Sequence, residues 1–141
     1  MIRFLISALT LVFLLGAANA QTVSPSDKTA FQAVIAGQLE AFKKDDGKTA
    51  FSYAAPLVQG IFQNPETFMA MVKKGYEPIY KNTQFSFGSL VISPDGRPVQ
   101  HVNFVGADGK NYEAIYVLQQ QADGSWKIAG VQMVVIPGVD A

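Results

Sequence analysis

Residues 84–136 read QFSFGSLVISPDGRPVQHVNFVGADGKNYEAIYVLQQQADGSWKIAGVQMVVI. Apolar and polar positions alternate here with a period near two, which is the signature of half-buried strands. Asp95-Gly96, Asp108-Gly109 and Asp123-Gly124 divide the stretch into four extended runs, 84–93, 98–106, 110–121 and 126–136. Asp-Gly between apolar runs signals a hairpin, because Gly takes positive φ without steric cost and Asp tolerates it. The three aspartates stand 13 and 15 positions apart. That spacing predicts an antiparallel meander of four strands, with residues 137–141 as a frayed tail.

Upstream of residue 80 the period is helical. Ser24-Pro25-Ser26-Asp27 opens a helix: Ser24 as N-cap, Pro25 at the first position where no N–H is needed, Asp27 closing a capping box. Phe31, Val34, Ile35, Leu39 and Phe42 fall at helical spacing and form one apolar stripe, with Lys28, Gln32, Gln38 and Lys43 off it. Asp45 or Asp46 is expected to cap a second helix from Gly47, which Pro56 breaks. A third helix starts at Asn64-Pro65 and carries Phe68, Met69 and Val72 on one face. It is expected to end on Gly75 as a left-handed residue after Lys73-Lys74, with Glu77-Pro78 preventing continuation. The expected fold class is α+β, with three N-terminal helices packed in the concave face of a curved four-stranded antiparallel sheet.

Composition excludes several functions. The chain carries 11 Lys+Arg against 11 Asp+Glu in 141 residues. No basic cluster suits nucleic acid or an anionic membrane. Cysteine is absent, which removes disulfides, thiolate catalysis and Cys-held metals, and one histidine cannot build a multi-His metal site. No phosphate-binding glycine motif is present. No metal or cofactor is expected. Residues 1–20 read as a signal peptide: Arg3, an apolar run over 4–15, and Ala18-Asn19-Ala20 as the cleavage site. The run is about twelve residues, short of the roughly 20 that span a bilayer. Residues 21–141 are then one domain with a net charge near −1, periplasmic or secreted, and without stable membrane insertion after cleavage.

Four residues are candidates for a pocket. Tyr53 and Tyr76 stand at helix ends and combine an aromatic body with a polar tip. His101 is the only imidazole and lies on the second strand, where it is either a general base beside a carboxylate or an edge-strand side chain. Asp46 pairs with Asp45 between two helices, where the paired carboxylates either serve acid–base chemistry or cap. Glu77 and Glu113 read as solvated, with Glu113 able to face either way on its strand.

Helices first and a meander after, closing on Asp123-Gly124-Ser125-Trp126-Lys127-Ile128, resemble the cone-shaped nuclear-transport-factor-like fold, related in shape to the cystatins. That superfamily includes ketosteroid isomerase and SnoaL-type cyclases. More closely, the chain resembles an uncharacterised bacterial family of that fold, a domain of unknown function. Gln38-Leu39, Ala41-Phe42, the run from Ala50 to Pro56, Phe68-Met69, Met71-Val72, Gly75-Tyr76 and Gly130 carry the resemblance, over about residues 28–135. The superfamily's enzymes place an Asp, His or Tyr inside the cone, and no motif transfers those residues here. The resemblance thus implies a fold and no activity.

The sequence favours a non-enzymatic binding or protein-interaction domain of the envelope. A small apolar or aromatic ligand, or a homodimer formed through the sheet, is the expected partner. The alternative is a small pocket enzyme of isomerase, dehydratase or cyclase type working by general acid–base catalysis. It rests on analogy of fold alone.

Overall fold

The computed structural model describes residues 23–140. The expected signal peptide lies outside the described residues. Five helical segments precede four strands: α1 (Pro25–Lys43), α2 (Gly47–Ser52), α3 (Pro56–Phe62), α4 (Pro65–Gly75), α5 (Glu77–Tyr80), β1 (Gln84–Ile92), β2 (Pro98–Val105), β3 (Lys110–Gln120) and β4 (Trp126–Asp140). The class is α+β with an open antiparallel sheet in the order β1-β2-β3-β4.

The three expected helices become five because the stretch after the Pro56 break is itself helical and a short α5 follows α4, and three breaks separate these segments. Tyr53, Ala54 and Ala55 leave the helix and run beside β4. Ala55 N–H donates to Ile128 O (2.8 Å) and Ile128 N–H to Tyr53 O (2.9 Å), a short parallel bridge on the sheet's outer edge. Gln63 stands at φ 69° and ψ −34°, and Asn64 N–H donates to Phe62 O across it (2.8 Å). This is a γ-turn of the rare strained hand. Tyr76, at φ −132°, separates α4 from α5. Gly75 is helical, contrary to expectation, and the N–H of Tyr76 closes α4 on Val72 O. Helix α5 forms because Pro78 sits in its first turn, where a missing donor is harmless.

The caps follow the sequence. Ser24 Oγ accepts from Asp27 N (3.1 Å), Asp46 Oδ1 from Thr49 N (3.2 Å) and Asn64 Oδ1 from Thr67 N (2.8 Å). Gly96, Gly109 and Gly124 all have positive φ, 83°, 76° and 87°. Each donates its N–H to the carbonyl three residues earlier, on the residue just past the end of a strand: Gly96 to Ser93 O, Gly109 to Gly106 O and Gly124 to Gln121 O. The three turns share one geometry.

Strand β4 outruns the expected end at Ile136 and reaches Asp140, which pairs with Lys110. Pro137 falls in the register shift between Lys110 and Tyr112, on an edge strand, where the ladder is already interrupted.

One face of the sheet is covered by helices. Val102 and Phe104 on β2, Ala114, Tyr116 and Leu118 on β3, and Ile128 on β4 are buried at alternate positions. Helix α1 presses Phe31, Ile35, Leu39 and Phe42 into this layer, and Phe31 meets Trp126 edge-on at 4.6 Å between centroids. Burial of each such side chain contributes about 1.5–3 kcal/mol. Gly37 is required on α1 because the Tyr53 ring lies against it: a Cβ there would stand 2.5 Å from Tyr53 Oη. Gln38, expected off the apolar stripe, is only 4% exposed, since its amide donates to Ala50 O at 3.1 Å and so enters the core with a partner.

Candidate functional site

An apolar cavity of about 240 Å³ lies between the helices and the sheet. Helix α1 contributes Gln38 and Phe42. The edge bridge and α3 contribute Ala54, Val58 and Phe62. Phe68, Met71 and Val72 come from α4, followed by Tyr76 and Ile79. Tyr116, Ile128, Gly130 and Val131 close it from β3 and β4. None of these residues is charged. Val58, Phe62, Met71, Tyr76, Gly130 and Val131 are half-buried and form the rim, and the others are buried in the core.

The elements place these side chains for local reasons. Tyr76 stands at the α4–α5 joint and donates its hydroxyl to Val131 O (3.2 Å), tying the helices to the edge strand across the cavity. The bulge between Val117 and Leu118 lets both Ile128 and Val131 face the helices although they are three residues apart. Asp45, at φ 51°, accepts from Tyr80 Oη (2.5 Å) and pairs with Lys73 Nζ (2.9 Å), which joins the end of α1 to α4 and α5. The Tyr80 hydroxyl, then Lys73, holds the Asp45 carboxyl below the usual carboxylate range, and Asp45 in turn pushes the Tyr80 phenol up.

Tyr116 is the polar group of most consequence. It is 1% exposed and faces the cavity, and its hydroxyl has no hydrogen-bond partner among the described residues. Burial pushes its phenol well above the ordinary range, so the hydroxyl keeps its proton and can donate.

Of the four residues singled out in the sequence, the structure brings only Tyr76 to this cavity. Tyr53 caps α2 and lies in a shallow groove with Val34, Trp126 and Lys127 on the other side of the edge bridge. Asp46 caps α2, and hydrogen bonds from the Thr49 hydroxyl (2.6 Å) and amide hold its carboxyl below the usual range. His101 lies on the sheet face turned away from the helices, opposite Ile115, with Nδ1 2.8 Å from Glu113 Oε1. Sequence reasoning placed Gln38 off the apolar stripe of α1 and did not single out Tyr116 among its four candidates. The period-two pattern of β3 does put Tyr116 on the buried face. Nothing local marks it as the one whose hydroxyl would lack a partner.

Chemically, the cavity offers apolar surface, the Tyr116 phenol, the Tyr76 phenol whose proton goes to Val131 O, and one amide. Among the described residues no carboxylate, imidazole or amine lines it. Among the described residues no group of three or more acidic, His or Cys side chains could hold a metal, and no helix is long and apolar enough to cross a membrane.

No curated protein and no solved structure matches the chain. One family model does, over residues 24–141, which is the whole α+β domain from the Ser24 cap onward, and the chain therefore belongs to the DUF4864 family, a domain of unknown function.

Proposed function

We propose that this protein is a binding module of the cell envelope, exported by the residue 1–20 signal, that holds a small apolar molecule in the cavity beneath α3. The observation that carries this reading is the Tyr116 hydroxyl. Buried polar groups in native proteins are almost always hydrogen-bonded, and this hydroxyl, unlike Asn82 Oδ1 and Gln100 Oε1, is not sealed by protein, so a bound molecule can supply its bond. A phenol with no protein partner, facing an apolar cavity of about 240 Å³, is suited to a ligand that supplies the partner. That volume exceeds the roughly 150 Å³ cavity that accepts benzene and falls below the ~300–1,000 Å³ of drug-sized pockets. The ligand class is a single ring or a short aliphatic chain. The cone arrangement of the nuclear-transport-factor-like fold, with helices closing one face of a meander, is consistent with such a site and belongs to the same proposal. The lining offers no strong proton acceptor, which favours binding over acid–base catalysis.

The test is native mass spectrometry on the protein purified gently from its own host's envelope, beside a Val58→Trp variant. Val58 is half-buried on α3, so an indole there fills the cavity without disturbing the core. A small-molecule mass on the wild type that is missing from the variant is the expected result. Bare protein in both, together with no heat stabilisation of the wild type by single-ring compounds, would sink the reading.

A further inference from the structure

Two polar side chains that line the cavity carry an atom with no hydrogen-bond partner among the described residues, and together they restrict the ligand further. The first is the Tyr116 hydroxyl. The second is the amide of Gln38. Its Nε2 donates to the backbone carbonyl of Ala50 at 3.1 Å. A carbonyl can only accept, so the nitrogen end of the amide is fixed there, and its second N–H and Oε1 are left over. Oε1 has no hydrogen-bond partner among the described residues. Two other side-chain atoms, Asn82 Oδ1 and Gln100 Oε1, are sealed by protein without a partner. Gln38 Oε1 and Tyr116 Oη are not sealed in this way, and both residues line the cavity.

An amide oxygen can only accept, and a protonated phenol can donate. We infer that the cavity takes an uncharged ligand bearing a hydroxyl group, an alcohol or phenol of one-ring size, and that Gln38 is the residue that selects the hydroxyl. The inference rests on reading the cavity as a ligand site. Its content is the chemistry of the ligand. A hydrocarbon leaves both polar groups bare. An ether or ketone can accept from Tyr116 and from the second Gln38 N–H but leaves Gln38 Oε1 bare, because it has no proton to give. A carboxylate or ammonium would be stripped of water against a lining that holds no opposite charge, which is the most costly case. Only a donor that also accepts uses both.

The experiment is a calorimetric titration of the purified full chain with four probes of matched shape: 4-methylphenol, 4-methylanisole, p-xylene and 4-methylbenzoate. We expect 4-methylphenol to bind about tenfold or more tightly than p-xylene, with the methyl ether between them and no measurable binding of the benzoate. Gln38→Met, close in length and without the carbonyl, should bring the phenol down to the ether. Tyr116→Phe should bring the ether down to p-xylene. Equal affinities of phenol and ether in the wild type, or preference for the benzoate, would overturn the assignment while leaving the cavity a binding site. Failure of all four probes would overturn the cavity reading as well. The wild-type ranking decides the matter even if Gln38→Met does not fold.

Discussion

Helices α1 and α3 both begin with proline at the first turn and both carry large apolar side chains, yet they end in opposite environments. Helix α1 buries Phe31, Ile35, Leu39 and Phe42. Helix α3 buries no residue at all: Val58 and Phe62 line the cavity, and Leu57 and Ile61 are 74% and 65% exposed. Helix α1 ends on a cap whose N–H finds Glu40 O, whereas α3 ends in the γ-turn at Gln63. The difference shows that apolar content alone does not make a helix part of the core. Helix α1 is held by buried packing, whereas α3 is held by its flanking bridge and cap, by the Gln59 amide donating to Phe51 O and Ala54 O, and by the partial packing of Val58 and Phe62.

Substitutions can break this contrast or sharpen it. The largest effect belongs to Ile35→Ala, expected to cost about 2–5 kcal/mol in urea unfolding, because a fully buried γ-branch is lost where neighbours cannot collapse. A cost below 1 kcal/mol would deny α1 its place as the core helix. Next is Gly37→Ala. Alanine is the better helix former by about 1 kcal/mol, so an exposed site would gain. Here the new methyl meets the Tyr53 ring, and a net loss of about 1–3 kcal/mol is expected, recovered in part by adding Tyr53→Ala. A gain in the single variant would show that the ring moves freely. At α3, Gln63→Gly should stabilise by about 1 kcal/mol by relieving the positive φ, and a lower unfolding midpoint would remove strain from the account. The smallest effects are Leu57→Ser and Ile61→Ser, each within about 0.5 kcal/mol of wild type in thermal unfolding. If either cost as much as Ile35→Ala, α3 would have to be covered in solution and the contrast would collapse.

The parts of the fold governed by local chemistry were legible from the sequence. The three Asp-Gly turns, the caps at Ser24, Asp46 and Asn64, and the apolar stripe of α1 depend on a few consecutive residues, and each sits where its spacing placed it. The breaks before Pro56 and Asn64 were legible too, but the early exit of Tyr53–Ala55 from the helix was not, because a bridge to β4 some seventy residues away decides it. The cavity was not legible, since its walls come from seven segments and its volume depends on how they meet. Gln38 shows the limit most clearly. By spacing it is a polar residue off the stripe, and only the carbonyl of Ala50 brought beside it by the turn at Asp45 makes its burial affordable. His101 and Asp46 drew attention for their chemistry as isolated side chains, and the structure gives each a partner away from the cavity: Glu113 for one, Thr49 for the other.

The repetition of one turn geometry three times has a consequence for how the chain reaches this structure. Each Asp-Gly hairpin closes a loop of only a few residues, so its entropy of closure is small and the pair can form in about 1–10 μs. Contacts such as Phe31 with Trp126, ninety-five positions apart, must wait for a far larger closure. The meander is therefore expected to assemble before α1 docks. In stopped-flow kinetics a turn substitution such as Gly109→Ala should slow folding, whereas Ile35→Ala should act mainly by speeding unfolding. The sheet would be a template made early, and the cavity the last part of the molecule to acquire its shape.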